Sequence, residues 1–262
     1  MFISGFFIQF ICIFTYMKFS LFLISIILFV TTNLVSAQNK MRSVEELTWD
    51  TSGWSIVQNA MRISRNKFQI LQADTAEAKK AIYETQVTTR SPMGAIIYCT
   101  GGILIEDGWI RILGSGSALL NRSLPEWNKG KTFNEYCEQP KFLLVADDVV
   151  GGFFAVNGGA LGPEMGKIYY LAPDDLKWES LHITYTDFIN FCFVGDMKLF
   201  YGDLGWPQCR GEVTKLTGND AFYFYPFRWT KEGKDISNDK RTIVPVKEIY
   251  DLEISSMKEI SK

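Results

Sequence analysis

Apolar side chains recur along this chain in two rhythms, each predicting a different kind of element. Trp54, Val57, Ala60 and Met61 fall at three- and four-residue steps, which gather them on one face of a helix. The same spacing runs over residues 74–86 through Ala78, Ala81 and Ile82, with Asp74 and Glu77 placed as a capping pair. It is clearest over 184–194, where Tyr185, Phe188, Ile189, Cys192 and Phe193 make one stripe. Thr184 and Asp187 suit the start of that helix and Gly195 its end. Shorter helical turns are expected at 197–201 and 207–214, and a longer helix over 246–260. Glu45-Glu46 supplies negative charge suited to a helix start.

Strand-like runs lie at 95–99, 103–105, 109–113, 142–146, 153–156, 168–171 and 222–225. Residues 178–181 read as a strand entering the helix that starts at Thr184, and 231–241 as a polar loop. Gly101-Gly102 and Asp107-Gly108 suit tight hairpins, because positive φ is cheap at glycine, and Gly151-Gly152 and Asn157-Gly158-Gly159 divide the later strands. Helices stand before and after a block of strands instead of alternating with them. This order predicts an α+β fold: a meandering, curved, mostly antiparallel sheet with helices over one face. With no internal repeat and no low-complexity linker, residues 42–262 make a single domain.

The amino end follows neither rhythm. Residues 1–37 contain one charged side chain, Lys18, among Phe, Ile, Leu, Ser and Thr. Read from Met17, Lys18 gives a positive start, 19–30 an apolar stretch, and Val35-Ser36-Ala37 a small-residue cleavage site. Residues 1–37 are therefore expected to be a signal peptide, with Met1 or Met17 as the start, cleavage after Ala37, and export to the periplasm or medium. The alternative is an anchor left uncleaved in the membrane. With the leader removed no stable membrane span is expected, since each apolar stretch alone falls short of the roughly 20 residues that cross a bilayer.

Composition narrows the chemistry. Of 262 residues 47% are hydrophobic and 21% charged, which suits a folded domain and not a disordered one. The 27 basic and 29 acidic side chains leave a net charge of -2, and the longest basic runs are the pairs Lys79-Lys80 and Lys240-Arg241. Nucleic-acid binding, which needs concentrated phosphate-neutralising charge, is not expected. There is one histidine, His182, read as structural or exposed, so the acid–base and nucleophilic devices that rely on imidazole are poorly provided for. Gly114-Ser115-Gly116-Ser117 fits neither a nucleophile elbow nor a dinucleotide loop, and Gly166-Lys167 lacks the rest of a phosphate-binding loop. Cys99, Cys137, Cys192 and Cys209 show no C-x-x-C spacing and are read as free thiols, with Cys99 ending an apolar strand. No cofactor and no metal are called for. Asp147-Asp148 and Asp174-Asp175 are acid pairs beside turns, read as solvated; Trp127, in the loop 123–128, is a candidate exposed contact.

Several blocks together resemble a known bacterial family. They are Gly108-Trp109-Ile110-Arg111-Ile112-Leu113-Gly114, Ser123-Leu124-Pro125-Glu126-Trp127-Asn128, Leu143-Leu144-Val145-Ala146-Asp147-Asp148 and Asn157-Gly158-Gly159-Ala160-Leu161-Gly162. With Ile168-Tyr169-Tyr170-Leu171, Tyr185-Thr186-Asp187-Phe188 and Phe200-Tyr201, they are similar in order and spacing to the family called domain of unknown function 2625, from about Arg42 onward. That family looks like a branch of the SUKH superfamily, whose resemblance implies helices on a curved antiparallel sheet. It also implies binding to a protein partner, as a toxin-neutralising immunity protein or an envelope adaptor, and carries no catalytic residues. The chain is accordingly expected to be a non-enzymatic protein-binding module. A small-ligand or carbohydrate binder is the alternative, and a hydrolase working by carboxylates alone is a third reading. Arg111, Trp127, Asp147, Asp148 and Asn157 are the expected surface contacts.

Overall fold

Most of the strand-forming runs fold back on one another in chain order. A computed structural model describes residues 41–206, 208–235 and 239–260, so the leader at 1–37 lies outside the described residues. Seven strands form one sheet in the order β1 to β7, each antiparallel to the next: β1 (Phe68–Leu71), β2 (Gly102–Ile105), β3 (Ile110–Leu113), β4 (Phe142–Asp148), β5 (Phe153–Asn157), β6 (Lys167–Leu171) and β7 (Trp178–Thr184). The β2–β3 hairpin turns at Asp107 and Gly108, with φ of 61° and 95°, where the sequence places it. Edge strand β1 carries no strand signal strong enough to be read in advance. The α+β class, a single domain and the mostly antiparallel sheet are as expected.

Three segments differ from expectation. Residues 95–99 are not a strand but the end of a helix, Pro92–Cys99, in which Ala95, Ile96 and Ile97 are all buried. A short, wholly apolar run cannot separate a buried helix from a buried strand by periodicity. The polar residues before it decide, since Ser91 accepts from the Gly94 N–H and Pro92 starts the first turn. Gly101-Gly102 therefore leads from helix to β2 instead of turning a hairpin, and Cys99 is exposed at the helix end. Residues 123–128 are likewise a helix, Leu124–Asn128, closed at its start by a reciprocal Ser123–Glu126 capping box. The polar loop expected over 231–241 ends early, because Lys240–Pro245 is a strand.

In chain order the helices are α1 (Val44–Thr48), α2 (Ser52–Arg62), α3 (Thr75–Thr85), α4 (Pro92–Cys99), α5 (Leu124–Asn128), α6 (Tyr185–Val194), α7 (Met197–Tyr201), α8 (Cys209–Val213) and α9 (Val246–Ile260). Among the described residues no helix is long and apolar enough to cross a membrane. Asp74 caps α3 by accepting from the N–H groups of Ala76 and Glu77 at 2.8 and 3.1 Å. Replacing Asp74 with Ala is expected to lower unfolding stability by about 1 kcal/mol, read by urea denaturation; no loss would mean that water serves those donors equally well.

Helices cover both faces of the sheet, not one. Successive residues of a strand point to opposite faces. Phe154 meets Phe188 of α6 at 4.8 Å between ring centroids, whereas its neighbour Phe153 meets Tyr250 of α9 at 5.1 Å. A separate ribbon of β8 (Asp220–Tyr225) and β9 (Lys240–Pro245) precedes α9 and packs against it. This ribbon brings a dense aromatic run beside the turn that joins β4 and β5.

Candidate functional site

Register places the charged residues of β3 and β4 face to face, with Arg111 opposite Asp147. Asp147 accepts from Arg111 Nε at 2.6 Å through one oxygen and from Arg122 Nη1 at 2.5 Å through the other. The two guanidiniums also donate to backbone carbonyls: Arg111 to Asp220 and Asp148, Arg122 to Gly218. Asp148 points to the other face. Its Oδ1 accepts from the N–H groups of Val150 and Gly152, and its Oδ2 from the hydroxyls of Tyr170 at 2.7 Å and Tyr201 at 3.0 Å. Burial pushes the Asp148 carboxyl upward, and those donors together with Arg111 pull it back only in part. Gly152 has to be glycine here, because a Cβ would overlap the Tyr170 hydroxyl and Asp148 Oδ2.

The expectation that Arg111, Trp127, Asp147, Asp148 and Asn157 lie on the surface is corrected by this arrangement. All five are buried, and each has a structural reason. Arg111, Asp147 and Asp148 join one network and hold β3, β4 and β8 together. Trp127 has the Arg122 guanidinium at 4.6 Å and the Lys131 ammonium at 4.0 Å from its ring centroid, and it is buried on a helix where a loop is expected. Burial brings Lys131 down to about 8. Asn157 stands apart from the others and shapes the β5–β6 loop, donating to the Gly162 and Glu164 carbonyls and accepting from the Gly159 and Leu161 N–H groups. Its amide has no capacity left for a ligand. The Asp174-Asp175 pair does lie in a solvated turn. His182 is exposed as expected, with Nδ1 at 2.7 Å from Glu164.

Polar groups with unused capacity occur elsewhere. A half-open cleft lies between β8, the segment that follows it, α9 and the β4–β5 turn. Phe222, Phe224, Phe227 and Trp229 form much of its wall, with Phe227 and Trp229 stacked at 4.5 Å and 6°. Glu253 and Arg228 are its charged lining residues. Glu253 is 2% exposed, and its Oε2 has no hydrogen-bond partner. Burial drives this carboxyl well above the usual carboxylate range, and the nearby Asp148 adds to the effect. Arg228 lies over the Phe224 ring at 4.9 Å and 3.8 Å from Asp239. Burial lowers the one and raises the other, as expected for charges withdrawn from water.

None of these cleft residues is among the contacts expected from sequence, although the chain carries two signals for them. Six of the eight positions from Phe222 to Trp229 are aromatic. Along α9, Val246, Ile249, Tyr250 and Glu253 share the buried stripe, so a carboxyl occupies a position where the spacing calls for an apolar side chain.

The sequence profile described as "Protein of unknown function DUF2625" matches residues 44–249. A Haemophilus influenzae protein described as uncharacterized is 42% identical over 217 residues, covering 82% of this chain and 92% of its own length. The protein YbfG of Escherichia coli strain K12, also described as uncharacterized, is 39% identical over 216 residues, covering 81% of this chain and 96% of its own. No solved structure matches the chain.

Proposed function

The chain belongs to the DUF2625 family, and from that premise we propose that it is a non-enzymatic binding module, SUKH-like in type, that engages a protein partner outside the cytoplasm. An immunity protein against an envelope toxin and an envelope adaptor both fit this description. One observation carries the reading: the cleft beside the β8–β9 ribbon has aromatic walls that are partly open and a buried carboxyl with nothing to bond. Rings beside unsatisfied polar groups suit recognition, since aromatic side chains supply much contact area at low entropic cost. The antiparallel meander flanked by helices supports the SUKH-like type. The Asp147 and Asp148 carboxylate oxygens are all engaged in hydrogen bonds within the fold, which supports binding over catalysis by that pair.

A second reading, small-ligand or carbohydrate binding, is favoured by the cleft's lining, in which aromatic rings stand beside two charged side chains. The two readings separate in one experiment. The full chain is expressed in a bacterium with a photo-crosslinking amino acid at Tyr225, which is 61% exposed beside the cleft, or at Ile63, 62% exposed at the end of α2. A saturable, one-to-one polypeptide adduct from position 225 and none from 63 is the expected result. Equal labelling from both positions would remove the proposal. A small molecule retained in native mass spectra, with no adduct, would support the second reading.

A further inference from the structure

Resting on the reading that the cleft is where the partner is held, we propose that it receives an alkylammonium group, presented by the partner as a lysine side chain, with Glu253 as counter-charge and Phe227 and Trp229 as flanking rings. Among the described residues Glu253 makes no ion pair, and Oε2 has no hydrogen-bond donor. A buried carboxyl left so is costly to ionise, so it stays neutral until a donor or counter-charge reaches it from outside.

The charged and titratable groups around it offer no internal substitute. Asp148 on β4 is a second acid, and the Tyr170 hydroxyl on β6 is committed to Asp148. Arg228, on the segment after β8, faces Asp239. Electrostatically the cleft therefore holds one cation, Arg228, with Asp239 at 3.8 Å as counter-charge although its Nη1 makes no hydrogen bond, and a carboxyl, Glu253, with no counter-charge and a second acid behind it. An anionic ligand would bring a further negative charge towards Asp148 and Glu253, and a neutral apolar ligand would leave Oε2 without a donor.

An ammonium group meets both needs. It donates to the carboxyl, and the faces of Phe and Trp rings attract cations. Ile249, Leu252 and Pro173 supply apolar lining for a methylene stem, which long cationic side chains bury while the head finds a polar partner. Binding is then coupled to a proton: the neutral Glu253 carboxyl ionises against the ammonium, and the released proton passes to solvent.

The probe is n-butylammonium, a mimic of the lysine side chain, added to the full chain at pH 6, with n-butanol and butyrate as the neutral and anionic counterparts. Binding is followed at the Trp229 indole N–H and at the 13C resonance of the Glu253 carboxyl, assigned from its absence in Glu253→Gln. Saturable binding of butylammonium, at least tenfold tighter than the other two, with the Glu253 resonance moving to its ionised position, is expected. Glu253→Gln, checked for folding by circular dichroism, should weaken binding at least tenfold. Trp229→Leu keeps the carboxyl and should weaken it several-fold while the Glu253 resonance still moves. Butyrate or butanol binding as well as butylammonium, or a carboxyl that stays neutral throughout, overturns the proposal. A crosslinked polypeptide at position 225 alongside any of these results leaves the binding reading standing and removes only the ammonium; without the adduct, both fall.

Discussion

Replacing Asp147 with Asn should destabilise the protein by about 3–5 kcal/mol, the range for breaking a buried ion pair from one side. The substitution keeps the shape and removes the charge. In the folded protein Arg111 and Arg122 are 1% and 7% exposed, and each spends its other hydrogen bonds on backbone carbonyls of Asp148, Asp220 and Gly218. With Asp147 neutral, two guanidiniums would share one buried site with no carboxylate between them, and the amide NH2 would turn a donor towards a donor. Burial already depresses Arg122 in the presence of Asp147. Because the loss comes from uncompensated charge, Asp147→Glu should recover part of it although it is the worse fit. Chemical denaturation with a common slope for wild type and variants measures the difference. A loss under 1 kcal/mol for Asp147→Asn would show that water reaches the triad.

The second large effect depends on pH and carries the opposite sign. Glu253→Gln should stabilise the protein, and the gain should grow as pH rises. In acid the carboxyl is neutral in both the folded and the unfolded chain and contributes no difference. Above the ordinary glutamate pKa of about 4.3, the unfolded chain ionises while the buried group, held well above that range, stays protonated. Stability therefore falls with rising pH by up to about 1.4 kcal/mol per unit from this group, until the folded carboxyl ionises as well. Glutamine removes that slope and leaves the one due to Asp148, so subtracting the two curves isolates Glu253. Between pH 5 and 7 the variant should gain on wild type with each step up in pH, for as long as the folded carboxyl stays protonated. Parallel curves would mean that the carboxyl ionises in the folded protein near its ordinary pKa.

Both effects arise from residues whose role the sequence reveals unevenly. The α6 stripe from Tyr185 to Phe193 was legible because its period is strictly helical and Thr184 and Asp187 cap it. The Thr184 hydroxyl bonds the Asp187 carboxylate at 2.7 Å. The Pro92–Cys99 helix was not, because a run apolar on every side carries no period, although Ser91-Pro92 marks a helix start. Ser123 and Glu126 likewise spell a capping box, and reading it would have turned Trp127 inward. The burial of Asp147 was not legible at all. Its partners Arg111 and Arg122 lie 36 and 25 positions away, and only the β3–β4 register and the chain path after β3 bring them to it. An acid beside a glycine turn looks solvated until the opposite strand is known. Glu253 is the intermediate case, visible as the one misfit on an otherwise apolar stripe.

The sequential pairing of the seven strands bears on how the molecule comes into being. Each strand pairs with the one before it, so every pairing in the sheet closes the shortest loop the chain order allows, which keeps the entropic cost of forming it low. On a ribosome, the meander through β7 has all its strands before residue 220 is made. The carbonyls of Gly218 and Asp220, which complete the shells of Arg122 and Arg111, arrive only afterwards, followed by the ribbon and α9. The cleft is thus the last part of the protein to be completed, and a chain stopped short of Val246 would carry all seven strands of the sheet but lack the wall that α9 gives the cleft.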